Sequence, residues 1–304
     1  MDIFKKKAEV AMTAEREKNA AATNSVFSAL GLVAMKLVVG VSTGSLGILA
    51  EAAHSGLDLV AAAVTFFAVR ESAKPADREH RYGHGKVENL SALFETFLLL
   101  LTCVWIGYES IHRLVLGKVD VSVTFWSFAV MGISILVDIS RSRMLYRVAK
   151  KHKSQALEAD ALHFSTDIWS SAVVIAGLAC VALSDMIPNG DFLHYADAIA
   201  ALCVAVIVVQ VSVKLGMRTI SALLDEAPAG LYAKVIAVAA KVPGVINCHR
   251  VRIRPSGAQV FIDMHVLMDS GLSLKEAHAL TTAVEKVIRA VEPGADVTVH
   301  PEPK

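Results

Sequence analysis

Six apolar stretches, each about long enough to cross hydrocarbon as a helix, follow one another along this chain: 24–41, 46–69, 90–111, 121–139, 157–183 and 195–215. Backbone that crosses lipid must satisfy its own hydrogen bonds, so a series of this kind folds as a bundle of membrane helices. Composition agrees. Of the 304 residues 54% are hydrophobic, more than a water-soluble domain needs to fill its core. The tight connector Ser42-Thr43-Gly44-Ser45 makes the first two stretches an antiparallel hairpin on the outer face, and the other outer links fall near 113–120 and 184–194.

Basic residues set the orientation. The link 70–86 carries Arg70, Lys74, Arg78, Arg81 and Lys86, and the link 141–153 carries Arg141, Arg143, Arg147, Lys150, Lys151 and Lys153. The opposite side offers little beyond Arg113 and Lys118. Both basic links and both termini are therefore expected in the cytoplasm. Residues 1–23 are basic but lack a signal-peptide apolar core, and they read as a cytoplasmic lead-in. The net charge of +1 gives no field that would draw nucleic acid. Cys103, Cys180 and Cys203 lie in apolar runs and, with Cys248, form no disulfide framework.

Past Leu223 the pattern becomes that of a small soluble domain, so the chain divides at 24–222 and 223–304. A helix is expected over 229–241, alternating strands over 245–254 and 259–267, a helix over 273–291 and a last strand over 296–300. Pro243-Gly244, Pro255-Ser256-Gly257 and Pro293-Gly294 punctuate the joints. The order αββαβ gives helices on one face of a sheet, a compact two-layer, ferredoxin-like arrangement.

Within the second and fifth stretches, His54 precedes Asp58 and His163 precedes Asp167 by four residues, which puts each pair on one helix face. Charged groups in hydrocarbon carry a penalty of roughly 2.5–3.5 kcal/mol each and need a partner or a purpose. Two facing HxxxD faces supply two imidazoles and two carboxylates, a donor set suited to tetrahedral Zn²⁺. Self-solvating His–Asp hydrogen bonds explain neither the duplication nor the depth. An intramembrane hydrolase is disfavoured because HExxH and a separate general base are missing from the sequence. A metal sensor that signals without transport leaves the duplicated pairs idle. Glu51, Glu95, Asp138 and Asp160 lack a matched partner at helical spacing and read as hydrogen-bonded structural or proton-pathway groups. His112, His152 and His194 match no motif and read as interfacial or solvated.

The runs GSLGILAEAAHSGLD at 44–58, YGHGK at 82–86 and ADALHFSTD at 159–167 together resemble the cation diffusion facilitator family, in its bacterial zinc and ferrous-iron efflux branch. The resemblance implies a homodimeric exporter with six membrane helices and a metallochaperone-like cytoplasmic domain, exchanging Zn²⁺ or a related cation for protons across a bacterial inner membrane. It implies a transport site of His54, Asp58, His163 and Asp167. Aspartate usually stands at the position of His54 in bacterial zinc members, whereas histidine there resembles eukaryotic zinc transporters. The second imidazole favours Zn²⁺ over Mn²⁺ and leaves Fe²⁺, Cd²⁺, Co²⁺ and Ni²⁺ open as cargo.

The same resemblance implies a loop metal site at Asp77, His80 and His84. It also implies a metal pair at the cytoplasmic dimer interface, held by His249, His265, His278 and His300, with Glu302 where aspartate is usual. A charge interlock between Lys86 and Asp225 is implied to join the membrane helices to the tail.

Overall fold

Gly44 takes a positive φ of 66° and turns the chain back on itself, which sets α1 (Asp2–Thr43) alongside α2 (Leu46–Ser72) as an antiparallel pair. The computed structural model describes residues 2–44, 46–116, 125–184 and 196–304. Four more long helices follow: α3 (Lys86–Leu116), α4 (Phe125–His152), α5 (Gln155–Ser184) and α6 (Ala196–Leu223). α3 packs along α6 and α4 along α5, with α1 against α4 and α3 against α5 closing the bundle. Val69, Leu145, Leu157 and Phe164 fill one buried cluster, with Ala21, Ala22 and Ala156 letting the helices approach.

Six crossings were expected. Among the described residues four helical segments, Met12–Thr43, Glu51–Ser72, Lys86–Tyr108 and Leu202–Leu223, are long and apolar enough to cross a membrane. The described stretch of α4 carries Asp138, Arg141, Arg143 and Arg147, and in α5 the side chains over 173–184 lie outside the described residues. The outer links expected near 113–120 and 184–194 also fall largely outside them.

The lead-in expected over 1–23 is helical from Asp2 and runs straight on into the first crossing, since α1 is unbroken for 42 residues. One boundary differs from the sequence reading. The basic link expected over 141–153 is helical as far as His152, so that Lys153 (φ 53°) and Ser154 make the whole turn into α5. Nothing in 141–152 breaks a helix: it has no glycine or proline, and Arg, Met, Leu, Ala and Lys dominate it.

The C-terminal part has the expected αββαβ order, with α7 (Leu231–Ala239), β1 (Asn247–Ser256), β2 (Gln259–Met268), α8 (Leu274–Val291) and β3 (Asp296–Pro303). The sheet runs β1-β2-β3, with β1 antiparallel and β3 parallel to the central β2. In β2 the alternation is complete. Val260, Ile262, Met264, Val266 and Met268 are buried, whereas Phe261, Asp263, His265 and Leu267 face the other side. The buried face packs on Leu231 and Val235 of α7 and on Val284 and Ile288 of α8. A reciprocal capping box of Ser273 and Glu276 starts α8. The opposite face of β2 is left open by these two helices.

Candidate metal centres

On α2 and α5 the two HxxxD faces meet. His163 Nε2 lies 3.2 Å from Asp58 Oδ1 and 3.8 Å from Asp167 Oδ2, and His54 Nε2 lies 4.0 Å from Asp58 Oδ1 and 4.0 Å from Asp167 Oδ1. Bonds of about 2.0–2.1 Å to a tetrahedral ion place donor atoms about 3.3 Å apart. One donor atom from each of Asp58, His163 and Asp167 lies within 4.8 Å of the others, so these three need a small contraction to share one cation, whereas His54 stands outside that mutual cluster. His163 is the fixed member, its side chain 5% exposed, whereas that of His54 is 41% exposed and stands at the open edge of the cluster. Two carboxylates supply the charge that a dication needs, and two imidazoles supply borderline donors.

The link after α2 brings Asp77, His80 and His84 together, with one donor atom from each lying within 4.8 Å of the others. Its order comes from a local turn: Asp77 Oδ1 accepts from the backbone N–H of His80 at 2.6 Å and of Glu79 at 2.9 Å. These bonds hold the Asp77 carboxyl below its ordinary value, the His80 bond contributing most. The His80 and His84 rings sit 4.4 Å apart, and Asp77 lies 3.5 Å from a nitrogen of each.

On the open sheet face, His249, His265 and His300 form a row across three strands, because His249 pairs with His265 and His265 with His300. Their ring centroids are 5.5 and 4.8 Å apart along the row. Glu302, two residues past His300 on β3, reaches His265 Nδ1 at 2.7 Å and His249 Nε2 at 3.0 Å. The His265 hydrogen bond is the main cause that holds the Glu302 carboxyl below its ordinary value. His278 is exposed on α8, whose buried side packs on the other face of the sheet, and it stands apart from the row.

A carboxyl held low in the fold stabilises it at pH values above its unfolded-state value, and that contribution is lost as pH falls through the folded value, here below about pH 4. Asp77 and Glu302 are thus ionised throughout pH 5–8. Zinc binding to the loop and tail clusters is expected to show no step from either carboxyl as pH falls from 8 to 5. Zinc titrations of the full-length protein at closely spaced pH check this.

Lys86 and Asp225 meet at 2.8 Å, and Lys86 Nζ also donates to Leu223 O at 3.1 Å. Beside this pair the β1–β2 hairpin docks against the loop. The Arg254 guanidinium lies 3.5 Å from the Tyr82 ring centroid, and Tyr82 meets Phe261 edge-on at 5.0 Å. The backbones touch at Gly85 and Gly257, where a Cβ on Gly85 would come within 2.4 Å of Ser256 O. Gly85→Ala is therefore expected to lift the hairpin off the loop, seen as faster amide exchange over 77–86 in the variant than in the parent.

Residues 22–224 match the family described as the cation efflux transmembrane domain, and residues 227–304 match the cation efflux protein cytoplasmic domain. The chain belongs to the cation diffusion facilitator family. The facilitator is 32% identical over 287 residues to the cation-efflux pump FieF of Yersinia enterocolitica, covering 93% of this chain and 92% of that one. It is 31% identical over 288 residues to FieF of Salmonella arizonae, with the same coverage of 93% and 92%. Among solved structures, the metal-bound C-terminal domain of the CzcD transporter from Thermotoga maritima is 40% identical, covering 24% of this chain and 86% of that one at a TM-score of 0.23.

Several buried groups of this facilitator escaped the sequence reading. Arg141, assigned to a link, is buried inside the bundle, donating to Ser25 Oγ at 3.0 Å and facing Asp138 at 3.4 Å. Glu88 is buried at the start of α3 and gathers Lys18 at 2.6 Å, Ser72 at 3.0 Å and Ser154 at 2.5 Å. His152, read as interfacial or solvated, is half-buried and bonded to Glu17 at 2.8 Å. His194 lies outside the described residues. The useful signal was absence of a breaker: a helix that continues past residue 141 carries Arg141 into the bundle.

Proposed function

We propose that this cation efflux transporter is a homodimeric Zn²⁺/H⁺ antiporter of a bacterial inner membrane, crossing it six times with both termini in the cytoplasm. Residues 1–23 serve as lead-in, 24–222 form the membrane domain and 223–304 the cytoplasmic one. The observation that carries the reading is the meeting of two HxxxD faces at 3.2–4.0 Å. Zn²⁺ enters from the cytoplasm, sheds water and is held by His54, Asp58, His163 and Asp167. Metal and protons compete for the same imidazole nitrogens and carboxylates, so protonation on the outer side releases the ion and the protonated site returns inward. Asp77, His80 and His84 hold a second ion in the loop. The row of His249, His265 and His300 with Glu302 binds metal on the open sheet face, where a second chain docks, and His278 completes the set of tail ligands. Metal there biases the transport equilibrium by its differential affinity for the two states.

Purified protein in liposomes is expected to move Zn²⁺ with proton counterflow; metal movement without pH change rules out the exchange. Growth rescue across Zn²⁺, Fe²⁺, Mn²⁺, Cd²⁺ and Co²⁺ ranks the cargo, and a protein that binds zinc but rescues growth on none of them is a sensor. Glu302→Gln is expected to weaken zinc binding by the tail by more than the roughly 10–100-fold that loss of a supporting hydrogen bond costs, while transport persists. Complete loss of transport in that variant assigns Glu302 a different role.

A further inference from the structure

At the end of the bundle nearer the tail, a buried polar clasp joins helices that the tetrad does not. Glu88, in the first turn of α3, is buried. Its Oε1 accepts from Lys18 Nζ of α1 at 2.6 Å and from Ser72 Oγ at the end of α2 at 3.0 Å, and its Oε2 accepts from Ser154 Oγ of the α4–α5 turn at 2.5 Å. The next residue fastens the other side. Asn89 Nδ2 donates to Gln155 Oε1 at the start of α5 at 2.9 Å, and Thr219 Oγ1 of α6 donates to the same oxygen at 3.3 Å. Two adjacent residues of α3 thus tie in α1, α2, α5 and α6, and the entry into α5 is held from both sides.

Chain order sets the clasp on one side of the metal centre. Along α2 come His54, Asp58, Thr65 and Ser72; away from the α4–α5 turn come Ser154, Asp160, His163 and Asp167. His54, the exposed member of the tetrad, and Asp167 beside it are therefore the members farther along each helix from the clasp. Between clasp and tetrad lies a buried layer in which Thr65 Oγ1 bonds Glu95 at 2.7 Å and stands 3.5 Å from Ser91 Oγ. On the far side a cavity of about 340 Å³ between the loop and the β1–β2 hairpin reaches Lys18, Ser72 and Glu88. An ion passing from that cavity toward Asp58 and His163 meets the clasp first.

A buried ion pair adds little stability over apolar packing of the same volume, because desolvation offsets the attraction. It suits a closure that has to come apart. When the helix ends separate, water hydrates Lys18, Glu88 and the two serine hydroxyls, whereas parted apolar faces carry a cost in proportion to the area exposed. Joined and parted forms stay close in free energy, as alternating access requires.

We propose that Glu88, with Lys18, Ser72 and Ser154, is the inner gate of the ion path: joined, the four groups bar the tail-side cavity from the tetrad, and parted, they admit the ion. The proposal rests on the transport reading above and adds the place where access is closed.

The test uses full-length protein and Zn²⁺ alone, in a background with the four native cysteines replaced by alanine. Ser72→Cys is combined with Ser154→Cys, and the two thiols are bridged by a short bis-methanethiosulfonate. Bridging is expected to stop zinc flux into liposomes and reduction to restore it, a reversible block that a merely structural contact does not give. Flux that persists after complete bridging overturns the proposal. Independently, Ser91→Cys is labelled with a membrane-impermeant maleimide in inside-out vesicles, which present the tail. Glu88→Gln keeps an acceptor but loses the charge that holds Lys18, and it is expected to speed this labelling by about tenfold or more, the factor for one hydrogen bond to a charged group. An unchanged labelling rate overturns the proposal. Should the paired variant not transport before bridging, the labelling rate decides; should Glu88→Gln not fold, Lys18→Met supplies the same readout. A parent that moves no zinc defeats the transport reading, whereas a parent that moves zinc through a bridged clasp defeats the gate alone.

Discussion

Asp58→Ala, and independently Asp167→Ala, is expected to abolish zinc flux into liposomes while the purified protein keeps its oligomeric state and helical signal. Each substitution removes one of the two carboxylates that face His54 and His163 at 3.2–4.0 Å and leaves a dication with a single negative ligand in a low-dielectric bundle. Loss of a hydrogen bond that merely supports a ligand costs about 10–100-fold in metal affinity, so loss of a charged ligand costs more. The four positions are not equal. His54 stands 4.0 Å from both acids at the open edge, whereas His163 is buried and bonded to Asp58 at 3.2 Å. His54→Ala is accordingly expected to slow flux, and His163→Ala to reduce it further, with either aspartate variant lowest. Flux measured alongside size-exclusion elution separates transport loss from unfolding. Parent-level flux in either aspartate variant removes the tetrad from the mechanism.

What could be read from the sequence was local. A four-residue spacing fixes a helix face wherever the helix goes, so His54 with Asp58 and His163 with Asp167 were legible before any packing was known. Alternation over 259–267 marked a strand, and the helix expected over 273–291 starts, in the structure, at the capping box of Ser273 and Glu276. Contacts between distant segments were not legible. An apolar stretch reports that a helix crosses, but not where along its length a neighbour's charge will meet it, which is why Arg141 was placed in a link and Glu88 passed unnoticed. The tail histidines were visible as a set, yet their division was not. Strand register puts His249, His265 and His300 in a row and leaves His278 on a helix. The extra residue in β1 at Arg250, with its positive φ of 49°, offsets the register between His249 and Arg252, and no sequence pattern announced it.

Arg141 carries the second large expected effect. Its guanidinium is buried, lies 3.5 Å from the Phe164 ring centroid, faces Asp138 at 3.4 Å and donates to Ser25 Oγ, which in turn bonds Asp160. One side chain thus ties α1, α4 and α5 together at the residue next to His163. Arg141→Met keeps much of the volume but removes the charge, so Asp138 and Asp160 lose their shared cation. Breaking a buried pair by removing one member costs about 3–5 kcal/mol, because the uncompensated charge stays behind. The variant is expected to unfold at a clearly lower temperature in detergent than the parent. Adding Asp160→Asn to Arg141→Met removes the stranded charge and should recover part of the loss, with the double-mutant cycle measuring the coupling. Arg141→Lys should recover less than charge alone suggests, since an ammonium cannot lie flat on Phe164 while reaching both Ser25 and Asp138. If Arg141→Met unfolds within about a degree of the parent, the network is not what holds α5 in place, and the burial of His163 then rests on apolar packing around Phe164.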